Sequence, residues 1–332
     1  MLDNYLVLLT VLAELANVGL FFFSVTFPKD FLLGCCEIMT VWHELHTGVV
    51  HPWLCDQFGH LNVRNYAVLF NEAQFFAYAR AGFPQSVALK YGGHGVAAIG
   101  RTTFIKELPA GSLIKIDGGM VASSTKTFTF LLRMFNEETG ELHATFECLE
   151  VFFNPDTRTS IPIPDELRPA LENQIKNGEP ISLKSELPRS IKPPANWVET
   201  HTGVCFPWHC DQFHHMNVRW YAHFFDDGMF HLWPKLKVKW KAMEERGLHT
   251  VTASTTTYFQ KEVQAGGLFK IEGGVIECGN KSVTFSQRMI NVETSEIHAS
   301  QSVTEVFFNP DTRRAAPIPS DLKEIIQNNL AS

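Results

Sequence analysis

Asp56, His60 and Asn62 recur in this chain as Asp211, His215 and Asn217, and each set is followed by a tyrosine, Tyr66 or Tyr221. A carboxylate can bring oxygen to an electrophilic carbon either by attacking it or by drawing a proton from water, and partial burial makes it a stronger base. Gly59 precedes the first histidine. Without a Cβ, it would let a ligand oxygen approach backbone N–H groups, and a helix N-terminus behind it would favour negative charge. Plainer roles stand beside these: Asp56 as a turn residue, Asn62 as a helix cap, and His60 and Tyr66 as packing groups.

The recurrence is long. Between Pro52–Ala67 and Pro207–Ala222, 155 residues apart, twelve of sixteen positions are identical. With the same offset, Lys106-Glu107 matches Lys261-Glu262, and the nine residues Glu150 to Arg158 match Glu305 to Arg313 throughout. A repeat of this length is a duplicated domain, since solenoid units are only about 20–50 residues. The expected division is an apolar segment over 1–41, a first domain over 42–168, a linker over 169–196, a second domain over 197–323 and a tail over 324–332. Pro180, Pro188, Pro193 and Pro194 punctuate the linker.

Composition excludes several classes. With 45% hydrophobic and 19% charged residues the chain is a packed globular protein, and its net charge of −7 provides no basic field for nucleic acid. Seven cysteines without CxxC spacing read as reduced thiols, which fits a cytoplasmic setting. His209, Asp211, His214 and His215 resemble a metal cluster, but Leu54 and Gly59 stand at two of those positions in the other copy, so no metal or other cofactor is expected. Leu6 to Phe27 is mostly apolar, and no Lys or Arg occurs in residues 1–28. This segment reads either as a membrane contact through residues 6–27, which would anchor the protein, or as a preamble to a true start at Met39.

Each copy reads as a short strand, one helix and four further strands. Leu45 to Pro52 is strand-like. Asn62 caps a helix whose apolar stripe is Tyr66, Leu69, Phe70, Ala73, Phe76 and Ala77. The strand runs that follow are Val96 to Leu108, Leu113 to Ser123, Thr127 to Phe135 and Glu141 to Phe153, with polar turns between them. Pro234 is expected to end the second helix about a turn early. The fold class is therefore α+β, an antiparallel sheet curled around one central helix.

The run Asp56-Gln57-Phe58-Gly59-His60-Leu61-Asn62-Val63-Arg64-Asn65-Tyr66, set between first strand and helix, resembles the hotdog-fold acyl-CoA thioesterases of the 4-hydroxybenzoyl-CoA thioesterase type. Thr103 to Gly111 and Phe153 to Pro164 resemble later parts of that family, and both copies are covered. The resemblance implies tandem five-stranded hotdogs paired sheet to sheet as an intramolecular pseudo-dimer, with two unequal sites at the interface and further assembly of such pairs left open. It also implies an acyl-CoA substrate. Asp56 and Asp211 would be the catalytic carboxylates, acting as nucleophile or base. Gly59 and His60 would form the oxyanion site, while Asn62, Tyr66, His215, Asn217 and Tyr221 would orient or line the pocket. His214 replaces Gly59 in the second copy, so the first site is expected to carry most turnover. The rival readings are an acyl-CoA hydratase or dehydratase and a non-catalytic acyl-CoA sensor.

Overall fold

The computed structural model describes residues 38–82, 84–176, 179–181, 187 and 190–330. The apolar segment Leu6 to Phe27 lies outside these residues. No helix among the described residues is long and apolar enough to cross a membrane.

The first copy contains β1 (Ile38–Thr40), β2 (His43–Val49), α1 (Val63–Arg80), α2 (Gln85–Ala88), β3 (His94–Phe104), β4 (Leu113–Ser123), β5 (Thr127–Asn136), β6 (Leu142–Asn154), β7 (Thr159–Ser160), α3 (Arg168–Lys176) and β8 (Glu179–Ile181). The second contains β9 (Val198–Val204), α4 (Val218–Lys235), α5 (Trp240–Glu244), β10 (His249–Phe259), β11 (Leu268–Cys278), β12 (Ser282–Asn291), β13 (Ile297–Asn309), β14 (Arg314–Ala315) and α6 (Ser320–Asn328). Strands β2 to β7 recur as β9 to β14 with the same lengths and the 155-residue offset, and so does the long helix. β8, from the stretch read as linker, pairs with β1 in a separate two-stranded sheet.

The main strands form one antiparallel sheet in the order β2-β4-β5-β6-β3-β10-β13-β12-β11-β9. The copies therefore join edge to edge at β3 and β10 rather than face to face. Their register pairs Ile99 with Tyr258, Arg101 with Thr256 and Thr103 with Ser254. A shift of 155 converts the first pair into the third and Arg101 into Thr256, so an approximate two-fold axis passes through the Arg101–Thr256 pair. The pairing also covers one edge of each sheet, an edge that would otherwise present unpaired backbone groups.

Each long helix starts at its asparagine, because the side chain occupies an N-terminal donor that the helix cannot satisfy. Asn62 Oδ1 accepts from the Arg64 N–H and Asn217 Oδ1 from the Arg219 N–H, both at 3.1 Å. α1 buries Tyr66, Phe70, Ala73 and Ala77 against β2, β4 and β5. Phe76, expected in that stripe, is 54% exposed because Ala73 and Ala77 take the inward positions. α4 does not stop early: Pro234 lies within its last turn. Proline cannot donate to the Phe230 carbonyl one turn back, and the Trp240 indole N–H donates to that oxygen instead at 3.3 Å. The two helices touch each other across the seam.

Candidate active site

Both aspartates build the same turn. Asp56 Oδ1 accepts from the N–H groups of Phe58 at 2.8 Å and His60 at 3.2 Å, and the Gly59 N–H donates to the Asp56 carbonyl at 3.1 Å. Asp211 repeats this with Phe213 at 2.8 Å, His215 at 3.4 Å and His214 at 3.0 Å. The N–H groups of Gly59 and His60, expected to face an oxyanion, are thus spent inside the loop. Among the described residues, the other oxygen of each carboxylate has no hydrogen-bond partner, nor do the N–H groups of Val63 and Val218, the first residues of the two helices. The N–H groups left free near each carboxylate are thus those of the helix N-terminus proper.

Gly59 has φ +78° and His214 has φ +65°, so both turns need the left-handed conformation. A Cβ on Gly59 would meet nothing within 4 Å, and His214 is exposed. His214 therefore costs some backbone strain, while the open space at Gly59 shows that the turn has room for a side chain there.

What separates the sites is the wall each loop faces, which the other copy supplies. Phe213 stacks on His94 at 3.9 Å, and Phe58 meets His249 edge-on at 4.7 Å. Beside the second loop lies a cavity of about 380 Å³ lined by Asp211, His215, Asn217, Val218 and Tyr221 from one copy and by Gln74, Tyr78, Gly95 and Glu150 from the other. This is within the size range of small-molecule sites. At the positions of Gln74, Tyr78 and Gly95, the wall facing the first loop carries Met229, Trp233 and Thr250. Trp233 is only 1% exposed and packs edge-on to Phe285 and Phe307, so a larger, fully buried ring stands where the other wall has the half-buried Tyr78. Arg64 reaches across the seam and bonds Asp226 at 2.8 and 2.5 Å and Asp227 at 2.7 Å. Among the described residues Arg219 makes no such clamp: Asn71 stands in place of Asp226, and Glu72, in place of Asp227, lies 3.9 Å from His46.

The other site residues divide by role. Asn62 and Asn217 cap helices, and Asn217 also lines the cavity. Tyr66 and Tyr221 are buried edge-on to Phe104 and Phe259, and burial pushes both phenols above their ordinary range. His215 Nε2 lies 3.2 Å from Glu262 and 3.3 Å from Arg158 of the other copy, and Arg158 also pairs with Glu262. The two-fold brings together the equivalent His60, Glu107 and Arg313, with Arg313 3.0 Å from His60 Nε2 but Glu107 nearest Nδ1, at 3.8 Å. Burial, then the nearby arginine, lowers both histidine pKa values, leaving neutral rings. Sequence reasoning assigned no role to these arginines and glutamates, although the identity of Lys-Glu and Asn-Pro-Asp-Thr-Arg between copies was the available signal.

Glu150 was likewise unassigned. It is 2% exposed, and burial pushes its carboxyl up to about 8. An unfolded glutamate titrates at about 4.3. Folding therefore favours the protonated form. Its contribution to stability is full below the unfolded value and is lost as pH rises toward the folded one. Glu150→Gln, which cannot ionise, should lack this loss. Urea unfolding of both proteins at pH 5 and pH 8 should shift the stability difference by about 2–4 kcal/mol in favour of the variant at the higher pH. Parallel pH profiles would contradict the assignment.

The profile of the thioesterase-like superfamily matches residues 50–171 and again 205–326. No curated protein matches the sequence. Among solved structures, a Lactobacillus plantarum protein provisionally assigned as an oleoyl thioesterase aligns at TM-score 0.63 and 14% identity, over 82% of this chain and 97% of its own. An acyl-ACP thioesterase from Bacteroides thetaiotaomicron aligns at TM-score 0.60 and 14% identity, covering 79% and 96%. A 12:0-ACP thioesterase from Umbellularia californica aligns at TM-score 0.62 and 12% identity, covering 80% and 94%. At these identities the structural likeness speaks to the fold, and the two profile matches speak to the family. Two copies of one domain, each matched by the same profile and joined about a two-fold in one sheet, make this chain a member of the thioesterase-like superfamily built as a tandem pair of hotdog folds.

Proposed function

We propose that the chain hydrolyses an acyl-CoA thioester to free acid and CoA in the cavity beside the Asp211 loop. The observation that carries this reading is the cavity itself, which joins the free carboxylate oxygen of Asp211, the unpartnered Val218 N–H and a wall from the other copy. Two N–H bonds pin Asp211 Oδ1, so the carboxylate cannot swing to form an anhydride with the acyl group, but its other oxygen can take a proton from water. The water oxygen then bonds to the thioester carbon, and the carbonyl electrons move to an oxyanion held by the Val218 N–H at the positive end of α4. As the C–S bond breaks, the thiolate takes the proton back from the aspartic acid. Each site draws on both copies, so the tandem chain supplies its own partner.

The test is incubation with a panel of acyl-CoAs and the same acyl groups on acyl carrier protein, the carrier named for two of the similar structures. Free thiol and enoyl absorbance are followed together. Thiol release that is faster from CoA is the expected result. Release only from the carrier protein would change the substrate while keeping the chemistry. An enoyl signal without thiol would replace hydrolysis with hydration or dehydration, and binding without either would leave a sensor.

A further inference from the structure

The wall opposite Asp211 holds a hydrogen-bonding group that its own copy does not satisfy. Gln74 and Glu150 are 5% and 2% exposed. The Gln74 amide donates to Oε1 of Glu150, and Cys148 Sγ lies 3.8 Å from the same oxygen. Oε2 has no hydrogen-bond partner among the described residues. In the neutral acid, the oxygen that accepts from the amide serves as the carbonyl, so the proton belongs on Oε2. A buried O–H without an acceptor has lost its hydration for no return.

The other copy identifies what is missing. Glu305, at the equivalent strand position, bonds the Thr252 hydroxyl, which donates at 2.6 Å, and also Thr250, and a hydroxyl can accept from a neutral acid as well as donate to it. The first copy has Ala97 and Gly95 where those threonines stand. Both hydroxyls are gone, and Ala97 and Gly95 line the cavity. Gly95 leaves room for these two polar groups: a Cβ there would sit 2.1 Å from Tyr78 Oη and 2.2 Å from Glu150 Oε2, with Phe128 Cζ next at 2.8 Å. The first copy has removed the internal partners of its buried acid and brought that acid to the cavity surface.

We propose that Glu150, positioned by Gln74 and beside Tyr78, recognises an oxygen on the acyl group, so that the favoured substrates are hydroxyacyl or oxoacyl thioesters and not plain alkyl ones. The proposal rests on the thioesterase reading for its site. A hydroxyl or oxo oxygen on the acyl chain accepts from Oε2, the role the protein itself leaves open. An alkyl chain of the same length would bury that donor unpaired, and sites built to bond a substrate oxygen discriminate strongly against analogues that lack it.

The test compares plain acyl-CoAs with their hydroxy and oxo derivatives of equal carbon number, substituted at successive chain positions. Calorimetric binding of the corresponding free acids is measured beside hydrolysis. At one chain position, wild type should prefer the oxygenated member by about tenfold or more in kcat/KM, with the same preference in binding. Glu150→Met should bring both preferences to parity or reverse them, and Glu150→Gln, whose amide still donates, should keep part of them. Gln74→Met, the residue the second copy uses, should weaken them without touching the acid. If Glu150→Met does not fold, the other two variants carry the comparison. Equal or alkyl-favouring behaviour of wild type, or a preference unaffected by these substitutions, overturns the proposal. Selective binding of oxygenated acids with no thioester hydrolysed would sink the thioesterase reading and leave this recognition standing.

Discussion

Asp211→Asn should lower thioester hydrolysis by about 10²-fold or more, the range lost when a positioned acid or base is removed, while Asp56→Asn should stay within a few-fold of wild type. The two loops have the same backbone bonds and the same unpartnered carboxylate oxygen, so loop chemistry alone predicts equal effects. The walls decide otherwise. Asp211 faces the cavity, whereas the wall across from Asp56 carries the buried Trp233 where the other wall has Tyr78. Amide for carboxylate keeps Oδ1 as acceptor for the loop N–H groups, so thermal unfolding of both variants should match wild type. Measured rates of free thiol release settle the order. Equal losses would mean both loops turn over, and a larger loss from Asp56→Asn would restore the asymmetry suggested by His214.

Gly95→Thr should also abolish most activity, through the opposite copy from the loop it affects. The added Cβ would lie 2.1 Å from Tyr78 Oη, 2.2 Å from Glu150 Oε2 and 2.8 Å from Phe128 Cζ, all shorter than any tolerated contact. Phe128 is buried in the core and cannot retreat, so the polar side chains must move into the cavity. Overpacking of this kind costs about 1–3 kcal/mol of stability. With the acyl space reduced, turnover should fall by about 10²-fold, in line with the cost of misplacing a substrate by about an ångström. The second copy carries threonine at this position, Thr250, with Trp233 in place of Tyr78, so the substitution imports the residue of the filled wall. Near wild-type activity in Gly95→Thr would remove the cavity from the account.

Duplication and fold class were legible because a constant offset of 155 residues carries strand lengths, helix caps and turns together, and hydrophobic spacing places one helix against an antiparallel sheet. The edge-to-edge join was not legible. It depends on β3 and β10 pairing about Arg101 and Thr256, and neither strand carries a local mark of its partner. Within the loops, Asp-x-x-Gly-His allowed Gly59 and His60 either to bind an oxyanion or to close a turn on the aspartate, and the hydrogen bonds choose the turn. The difference between the sites lies in Gly95 against Thr250 and Tyr78 against Trp233, residues on the copy opposite the loop they serve. Within the loops themselves the difference is His214 for Gly59, an exposed residue. Arg158 and Glu262 were visible as identities between copies, but only the two-fold brings them to His215.

The most direct measurement is a crystal structure of the full chain with a non-hydrolysable acyl-CoA analogue in which a methylene separates carbonyl and sulfur. The carbonyl should lie between the free oxygen of Asp211 and the Val218 N–H, with the acyl group against Gln74, Tyr78 and Glu150. An analogue seated at the Asp56 loop against Trp233, or one whose acyl group runs away from Glu150, would contradict that placement.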